Sequence, residues 1–592
     1  MIRGLEDAAK KLQIDYTPPK KSKQPPSVGR NNQNRDIDSA AQRVPMMYRA
    51  QVRGRCSLQY GNDETDLNRW TTEWVDPNEA ERDQPSAQRK EPVLGLDGDI
   101  YRMKVKFPWR VFTNCGEDSI FRPVIGKDGI PVIPGSSIKG LFERLSRSHS
   151  NPETREAIRR YCGDADHQGW LRFHRAYPIG DWAGTNRVRV EARGQSRVET
   201  RYRMIDVVHP QQGRQVGDNQ KRSPQAIAVV SFFKPELIFE LSCQRNHPLD
   251  QEGWERVKGL LKRALRSGLC GKTSSGYGLY VLPKDEYAVN IKLSGTGVSS
   301  LLRNNEPEFR PNLFKATLRS HATRLLAGVS SDRSVVKNSV DRLFGGTRKP
   351  GSVDLYWDMP AQPEFEAQGR ERTPIYRTTG TLRIDAKGKD LVFCQQLVLF
   401  AYLLAGWGKS WRRVWHAGPG GWHPGFMDYQ TRAIGCHWEW LDSEGIELPT
   451  VATPEDLQRF LRESRRSCQQ YLGISSQAGD RSLSWREAWH PERVTVYATK
   501  TSHSNAIGLF HDSDFKTTPA IGGRNPNDRR PTTFSSVWHR MLPLEREYLE
   551  IVTLFHGNRQ PWKRDGEDQL REFCALLEED FQQIYGKKLG SR

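Results

Sequence analysis

The chain has 592 residues, too many for a single hydrophobic core, so we expect two or more domains. Its 90 Lys and Arg residues outnumber 71 Asp and Glu residues, and the formal charge of +19 suits a polyanionic partner. The longest apolar run, residues 397–407, is too short to span a bilayer; it predicts a buried helix and no membrane association.

The nine cysteines are dispersed and none has CxxC spacing, so we expect no structural zinc. Together with the lack of a secretory leader, this pattern predicts a reducing, cytoplasmic environment. Residues 1–97 predict a basic, partly disordered N-terminal arm and insertion, because residues 1–43 are too polar to bury a core.

The first regular pattern is the period-two alternation of residues 100–107, which predicts a half-buried strand. Residues 131–147 then predict a short strand, a Pro-Gly turn and a helix. Ser136 is placed to cap that helix, where free N–H groups and the helix dipole favour a phosphate. The apolar residues share one helix face at i, i+3, i+4 and i+7: Ile138, Leu141, Phe142 and Leu145. An ordinary capped helix packed on a sheet explains the same pattern.

Three further patterns follow in order. Residues 161–173 predict a turn and a strand, residues 254–267 an amphipathic helix ended by Gly268, and residues 271–278 a glycine-rich loop. This loop is not a nucleotide-binding P-loop, because position 266 is Arg and the loop follows a helix, so we expect no nucleotide cofactor.

The segments 131–141, 161–173 and 271–278 resemble, in the right order, the motifs of the RAMP superfamily, the repeat-associated RNA-binding proteins of CRISPR systems. The resemblance implies an α+β, RRM-like (ferredoxin-like, βαββαβ) domain over residues 98–286. It also implies a thumb, a β-hairpin near residues 194–233 that pushes between guide and target.

The rest of the chain echoes the first domain more faintly. Residues 309–319 echo the turn, cap, lysine and helix of 131–147, with Asn312 at the cap position. Residues 342–357 echo 161–173, and residues 403–410 echo the late glycine-rich loop. We therefore predict two tandem RAMP domains, the second divergent, with insertions, over residues 287–592, similar to the double backbone subunit of type III-D systems; two unrelated α/β domains are the alternative.

Small, cationic and aromatic residues of these segments are the predicted RNA contacts, since backbone amides and cations bind phosphates while aromatic rings stack on bases. They are Ser136, Ser137, Lys139, Arg144, Arg201, Arg203, Met204, Gly271, Lys272, Thr273, Ser274, Lys315, Arg319, Lys409, Trp411 and Arg412. In the interleaved run 407–415 the tryptophans are equally explicable as core residues. Met204 or Ile205 is the candidate apolar wedge of the thumb.

The resemblance also implies target RNA cleavage, in which a loop aspartate and a divalent ion, Mg²⁺ by expectation, assist attack by a 2′-hydroxyl. The position usually held by that aspartate is Phe121 here. Asp118 is the best substitute. The alternatives are Glu117, Asp128, Glu306 and Glu308.

The predicted function is that of a crRNA-binding backbone subunit in an antiviral type III CRISPR ribonucleoprotein, with target RNA, a large polymerase-like subunit and further RAMP proteins as partners. It contributes to cleavage as an endoribonuclease subunit if one of these acids is active. A non-catalytic RNA-binding subunit, favoured by Phe121, and a stand-alone guide-processing ribonuclease remain alternatives.

Overall fold

The computed structural model describes residues 100–113, 115–117, 120–124, 130–148, 151–192, 195–208, 227–273, 276–302, 306–346, 350–417, 425–427, 432–475, 481–521 and 535–589. The predicted N-terminal arm lies outside these ranges, as do Asp118, Asp128 and Ser274. Within them, no helix combines the length and the apolar character that crossing a membrane requires.

The first part of the fold, residues 100–282, is module 1. Its elements are β1 (Ile100–Lys106), β2 (Cys115–Glu117), β3 (Ile120–Arg122), β4 (Ile133–Pro134), α1 (Gly135–Ser148), α2 (Pro152–Cys162), β5 (Leu171–Ile179), β6 (Thr185–Ala192), β7 (Gln195–Tyr202), β8 (Ile205–Val208), β9 (Ile227–Val230), β10 (Glu236–Cys243) and α3 (Gln251–Leu265). The main sheet is antiparallel in the order β1-β10-β5-β4, so β10 lies between β1 and β5, the two strands that the α1–α2 connection joins. This is the split βαβ arrangement.

The helices of module 1 follow the predicted periodicities. The four apolar residues of α1 are buried, and the predicted alternation of β1 places buried Met103 and Val105 between exposed lysines. Helix α1, however, begins at Gly135, so Ser136 lies inside the first turn instead of capping it. A side chain at Gly135 would bring its Cβ within 2.0 Å of the Phe173 carbonyl oxygen, so this glycine lets the helix start close to β5.

Module 2, residues 289–444, repeats this element order. It contains β11 (Val289–Val298), β12 (Ser300–Leu301), β13 (Pro307–Glu308), α4 (Asn312–Ala327), α5 (Arg333–Phe344), β14 (Asp354–Asp358), β15 (Glu364–Gln368), β16 (Thr373–Asp385), α6 (Gly388–Leu404) and β17 (Cys436–Glu444). The sheet order is β14-β16-β11-β17, with β15 also paired to β16. Asn312 is the first residue of α4 and not its cap; the capping residue, Pro311, has no side-chain donor or acceptor for this role.

Module 3, residues 494–585, has the same topology. After α7 (Pro454–Leu472) come β18 (Val494–Thr501), α8 (Ala506–His511), β19 (Val537–Pro543), β20 (Tyr548–Phe555), β21 (Lys563–Arg564), β22 (Glu567–Asp568), α9 (Leu570–Asp580) and β23 (Gln582–Tyr585). The order of the main sheet, β19-β20-β18-β23, matches that of module 2. The predicted second domain, residues 287–592, thus contains two four-strand sheet cores in its described part.

Modules 2 and 3 share one hydrophobic core. It includes Leu293 of β11, Phe400 of α6, Trp538 of β19 and Ile551 of β20, each at most 1% exposed. Helix α6 contains most of the apolar run that predicted a buried helix, and that prediction is confirmed. The predicted α+β class with antiparallel sheets is confirmed as well.

Candidate nucleic-acid interface

The outer face of the first sheet, opposite buried Met103 and Val105, is lined by basic side chains. Arg102, Lys104 and Lys106 alternate along β1. Lys104 and Lys106 are exposed, and neither forms a hydrogen bond or ion pair with any residue that the structure describes. Free ammonium groups on one strand are well placed to bind phosphates.

Strand β5 continues this face on the far side of β10. Arg172 is exposed, and the guanidinium carbon of Arg175 lies 5.6 Å from the centre of the Tyr177 ring. Tyr177 pairs across the sheet with Ile238, which pairs in turn with Lys104. This outer face combines cations with an aromatic ring, as single-strand RNA-binding surfaces do. The sequence predicted strand β1. Its period of two places Arg102, Lys104 and Lys106 on one side, but these residues were not among the predicted RNA contacts.

Negative charge on this face is limited. Glu240 is paired with Arg102 at 2.9 Å, with their side chains 9% and 25% exposed. Glu236 lies opposite Lys106 in the strand register. Glu240 neutralises Arg102, and the net charge of the face stays positive because the other lysines and arginines of β1 and β5 outnumber the remaining acid, Glu236.

The predicted contacts at the start of α1 are accessible. Ser136 and Ser137 are exposed and Lys139 is half-buried. Arg144 has a structural contact: its Nη2 donates to the carbonyl oxygen of Gly268 at 2.5 Å, and burial lowers the pKa of its guanidinium. It therefore holds the late glycine-rich loop against α1.

That loop is tightly folded. The backbone N–H of Gly271 donates to the Phe112 carbonyl oxygen at 2.9 Å, and Lys272 adopts a positive φ of 58°. A Cβ at Gly278 would lie 2.1 Å from the Leu269 carbonyl oxygen, so only glycine fits there. This geometry leaves Thr273 at the outer edge of the loop, beside module 2.

Residues predicted from the two repeats meet at this edge. Thr273 and Gly276 of module 1 line a small cleft of about 50 Å³ together with Asn312 and Lys315 of module 2. Burial lowers the pKa of Lys315, and the nearby carboxylate of Asp354 opposes that shift. No hydrogen bond or ion pair engages the Lys315 ammonium within the described ranges.

The acids predicted as catalytic alternatives in module 2 are engaged in ion pairs to module 1. Arg110 donates through Nε and Nη2 to Glu308 at 2.7 and 2.5 Å, and these side chains are 7% and 14% exposed. Glu306 accepts from Arg203 Nε at 2.6 Å and from Asn186 Nδ2 at 2.7 Å. Both carboxylates are thus held by arginines of module 1, and these contacts are suited to joining the two modules.

The predicted thumb region contains two ribbons, β6–β7 and β8–β9, inserted between β5 and β10. Arg201 lies in β7 and Ile205 begins β8, and their side chains are not among those described. Met204 is fully buried, whereas Val198 of β7 is 64% exposed. Among the ribbon side chains that the structure describes, Val198 is the exposed apolar one, and sequence periodicity alone did not distinguish it.

The tryptophan-rich run of module 2 is largely core. Trp407 and Trp415 are fully buried, and Trp411 packs edge-on against Trp538 at 4.9 Å between ring centres. Arg412 donates to Glu487 at 3.1 Å, and Arg319 donates to the Gly345 carbonyl oxygen at 2.6 Å. Of the predicted contacts here, Lys409 is the exposed cation.

The remaining catalytic candidates are only partly placed. Glu117 pairs with Ile120 in the β2–β3 hairpin, but its side chain is not described. Within the described ranges, no group of three or more His, Cys, Asp or Glu side chains can hold a metal ion. Asp118 and Asp128 lie outside those ranges, so the divalent ion stays a prediction, and we derive no step through it.

Residues 116–281 match the RAMP superfamily, inside the predicted span 98–286. No curated protein matches the chain at a significant level. Among solved structures, Cmr1 from Pyrococcus furiosus is 12% identical, with 50% of this chain and 98% of Cmr1 covered and a TM-score of 0.34. Cmr6 from the same organism is 19% identical, with 32% and 100% covered and a TM-score of 0.20.

A third similar chain comes from a Type III-B Cmr-beta complex bound to cognate target RNA. It is 15% identical, with 43% of this chain and 77% of that chain covered and a TM-score of 0.23. TM-scores this low do not establish a common overall fold, so the match to the superfamily is the stronger of these findings.

Proposed function

Because residues 116–281 form a RAMP-superfamily domain, we propose that this chain is an RNA-binding backbone subunit of a type III CRISPR effector complex. In this role it holds crRNA and the guide–target duplex. It works beside a large polymerase-like subunit and further RAMP proteins. The observation that carries the proposal is the outer face of β1, where Lys104 and Lys106 are exposed and unpaired within the described structure.

The phosphate backbone of RNA is the natural ligand of such a surface, since lysines bind phosphates without reading sequence. Sequence reading belongs to base pairing with the guide. The accessible Ser136, Ser137 and Lys139 at the start of α1 extend the cationic surface of module 1 towards the sheet edge.

The repeated split βαβ order supports the tandem organisation. In module 1 two helices precede β5, and in module 2 two helices precede β14. Each pair of helices is followed by a glycine with positive φ, Gly163 or Gly345. We propose that both are RRM-like RAMP domains that bind successive stretches of one RNA, with Thr273 and Lys315 at the joint between them.

The ribbons of module 1 are the proposed thumb. An apolar side chain that separates base pairs must be accessible, and Val198 is 64% exposed on β7. We assign the wedge to Val198 ahead of the buried Met204.

The test is salt-dependent binding of the purified full chain to a guide transcript. We expect the logarithm of the association constant to fall linearly with the logarithm of salt concentration, by about 0.7 per phosphate contact for single strands. Binding that is absent alone and with the partner subunits, or insensitive to salt, would contradict the proposal.

Cleavage is a separate proposal, centred on Asp118. In a reconstituted complex, Asp118→Ala should abolish one target cut, whereas the neighbouring Ser119→Ala should leave it. If every cut persists in Asp118→Ala, the chain is a non-catalytic backbone subunit or uses another acid. The non-catalytic alternative is favoured by Phe121 at the usual aspartate position and by the arginine-paired Glu306 and Glu308.

The alternative function, a stand-alone guide-processing ribonuclease, has a different expected result. The isolated chain would cut a guide precursor at a fixed position without partner subunits. Absence of that cut, with salt-sensitive binding retained, would favour the backbone role.

A further inference from the structure

A second cleft, of about 220 Å³, lies beside the first half of α4 in module 2. Its walls include the rings of Phe309, Tyr376 and Trp411. Drug-sized ligands occupy pockets of about 300–1,000 Å³, so this space suits a smaller, planar group.

The hydroxyl group of Tyr376, a residue that lines this cleft, has no hydrogen-bond partner in the described part of the chain. Tyr376 is 2% exposed. Burial raises the pKa of the phenol, so the group stays protonated and can donate. A buried hydroxyl without a partner is costly, and a ligand with a polar edge would remove that cost.

Two glycines make room for this hydroxyl. A Cβ at Gly297 would come within 2.9 Å of the Tyr376 oxygen, and a Cβ at Gly408 within 2.8 Å. Gly408 also has a φ of 113°, which disfavours any other residue. The position of the polar atom is thus built into the backbone of β11 and of the loop after α6.

The aromatic walls are fixed before any ligand arrives. Phe309 packs edge-on against Tyr376 at 5.0 Å between ring centres. Trp411 packs edge-on against His321 at 5.1 Å and against Trp538 at 4.9 Å. Rigid rings of this kind bind a flat aromatic group without an ordering cost.

The rim of the cleft has two features that favour negative charge, and the acid that lines the cleft, Glu308, is paired with Arg110. Lys409 is exposed there, with its backbone bridged to Val298 of β11. Asn312, the first residue of α4, lies on the same rim, so the positive end of the helix dipole faces it. A flat aromatic group attached to a phosphate satisfies walls and rim together.

We infer that this cleft is a pocket for one unstacked nucleobase of the bound RNA, with the adjoining phosphate at Lys409 and the start of α4. The inference rests on the proposed function and deepens it, because it adds a base-binding pocket in module 2 to the phosphate contacts of module 1. The Tyr376 hydroxyl gives the base a hydrogen bond.

The test is photo-crosslinking of single-stranded RNA containing 4-thiouridine to the full-length chain, with mass spectrometry to locate the crosslinks. We expect crosslinks on the cleft peptides that contain Phe309, Tyr376 or Trp411. Ala316→Phe places a ring at the exposed mouth of the cleft. It should abolish these crosslinks and weaken RNA binding about tenfold, the scale of one base–aromatic stack.

The matched control is Ala575→Phe, the same change at an exposed helical position of α9 in module 3, which should keep both crosslinks and affinity. Tyr376→Phe should fold normally and lower the crosslink yield, since it removes only the hydroxyl. Binding without any crosslink in the cleft, or with unchanged crosslinks in Ala316→Phe, would overturn the pocket and leave the proposed function standing. Loss of all RNA binding in the unmodified chain would overturn the proposed function itself.

Discussion

Modules 1 and 2 share an element order and differ in where their cations lie. In module 1, Lys104 and Lys106 project outward from β1. On the equivalent strand of module 2, β11, Lys292 is the exposed cation, and it faces Asp442 of β17 in the strand register. The same topology therefore presents a basic sheet face in one module and a nearly neutral one in the other.

Two arginines of module 2, Arg324 and Arg412, are instead directed inward to Glu487, while others, such as Arg377, stay exposed. Arg324 and Glu487 are 1% and 3% exposed at the side chain, and Arg412 and Arg486 also lie within 4.0 Å of the Glu487 carboxylate. Glu487 comes from the segment that leads into module 3. The contrast supports the proposal that module 1 binds a polyanion, whereas the buried ion pairs of module 2 attach it to the segment that leads into module 3.

The largest expected effect, on the free energy of unfolding, comes from removing the negative charge of Glu487 from among Arg324, Arg412 and Arg486. Glu487→Gln leaves three arginines around a neutral amide, and we expect it to lower the free energy of unfolding by about 3–5 kcal/mol. Urea denaturation measures this. The control is Glu492→Gln, because Glu492 forms an exposed pair with Lys587 and should contribute less than about 1 kcal/mol. Equal losses in both variants would contradict the contrast between the modules.

The pH dependence of stability sharpens the same point. Burial alone would raise the pKa of Glu487, but Arg412, Arg324 and Arg486 outweigh it and bring the pKa to about 2. A carboxyl whose folded pKa is depressed stabilises the fold above its unfolded pKa and loses that contribution as pH falls through the folded value. We expect about 3 kcal/mol to be lost between about pH 5 and pH 2, and Glu487→Gln to lack this loss. Denaturation midpoints measured across that range provide the check.

A smaller loss of stability should follow from breaking the Arg110–Glu308 ion pair between modules 1 and 2. Arg110→Ala leaves the partly buried Glu308 carboxylate without its arginine, and we expect a loss of about 2 kcal/mol. In a double-mutant cycle with Glu308→Gln, the two losses should be strongly non-additive. Additive losses would show that this ion pair does not couple the modules.

The smallest effect concerns RNA and leaves stability unchanged. Lys104→Gln combined with Lys106→Gln should weaken RNA binding and reduce the salt slope by about 0.7 for each phosphate that the protein no longer neutralises. Lys292→Gln, the equivalent change in module 2, should do neither. If Lys292→Gln weakens binding as much as the changes in β1, the outer face of module 1 is not the principal RNA surface.

Local patterns were predictable from the sequence. The period of β1, the apolar face of α1, the buried helix α6 and the turns at Gly163 and Gly345 follow from spacing and from residue types that tolerate few alternatives. The same signals predict the repeated element order, because modules 1 and 2 need the same turns in the same order along the chain.

Side-chain partners were not predictable. Nothing local distinguishes Arg203 or Arg412, which bind acids more than 70 residues away, from Lys104, which is free within the described structure. The predicted helix caps at Ser136 and Asn312 were wrong for a related reason, since contacts with other elements decide where a helix begins.

The sequence by itself determined the α+β class, the RAMP-like motifs and the excess of positive charge. Tertiary structure alone decided which cations face solvent, which acids neutralise the others, and that module 3 shares the core of module 2. The physical reason is the distance along the chain over which each effect acts. Periodicity and turn chemistry act over a few residues, whereas burial and ion pairing depend on segments that only folding brings together.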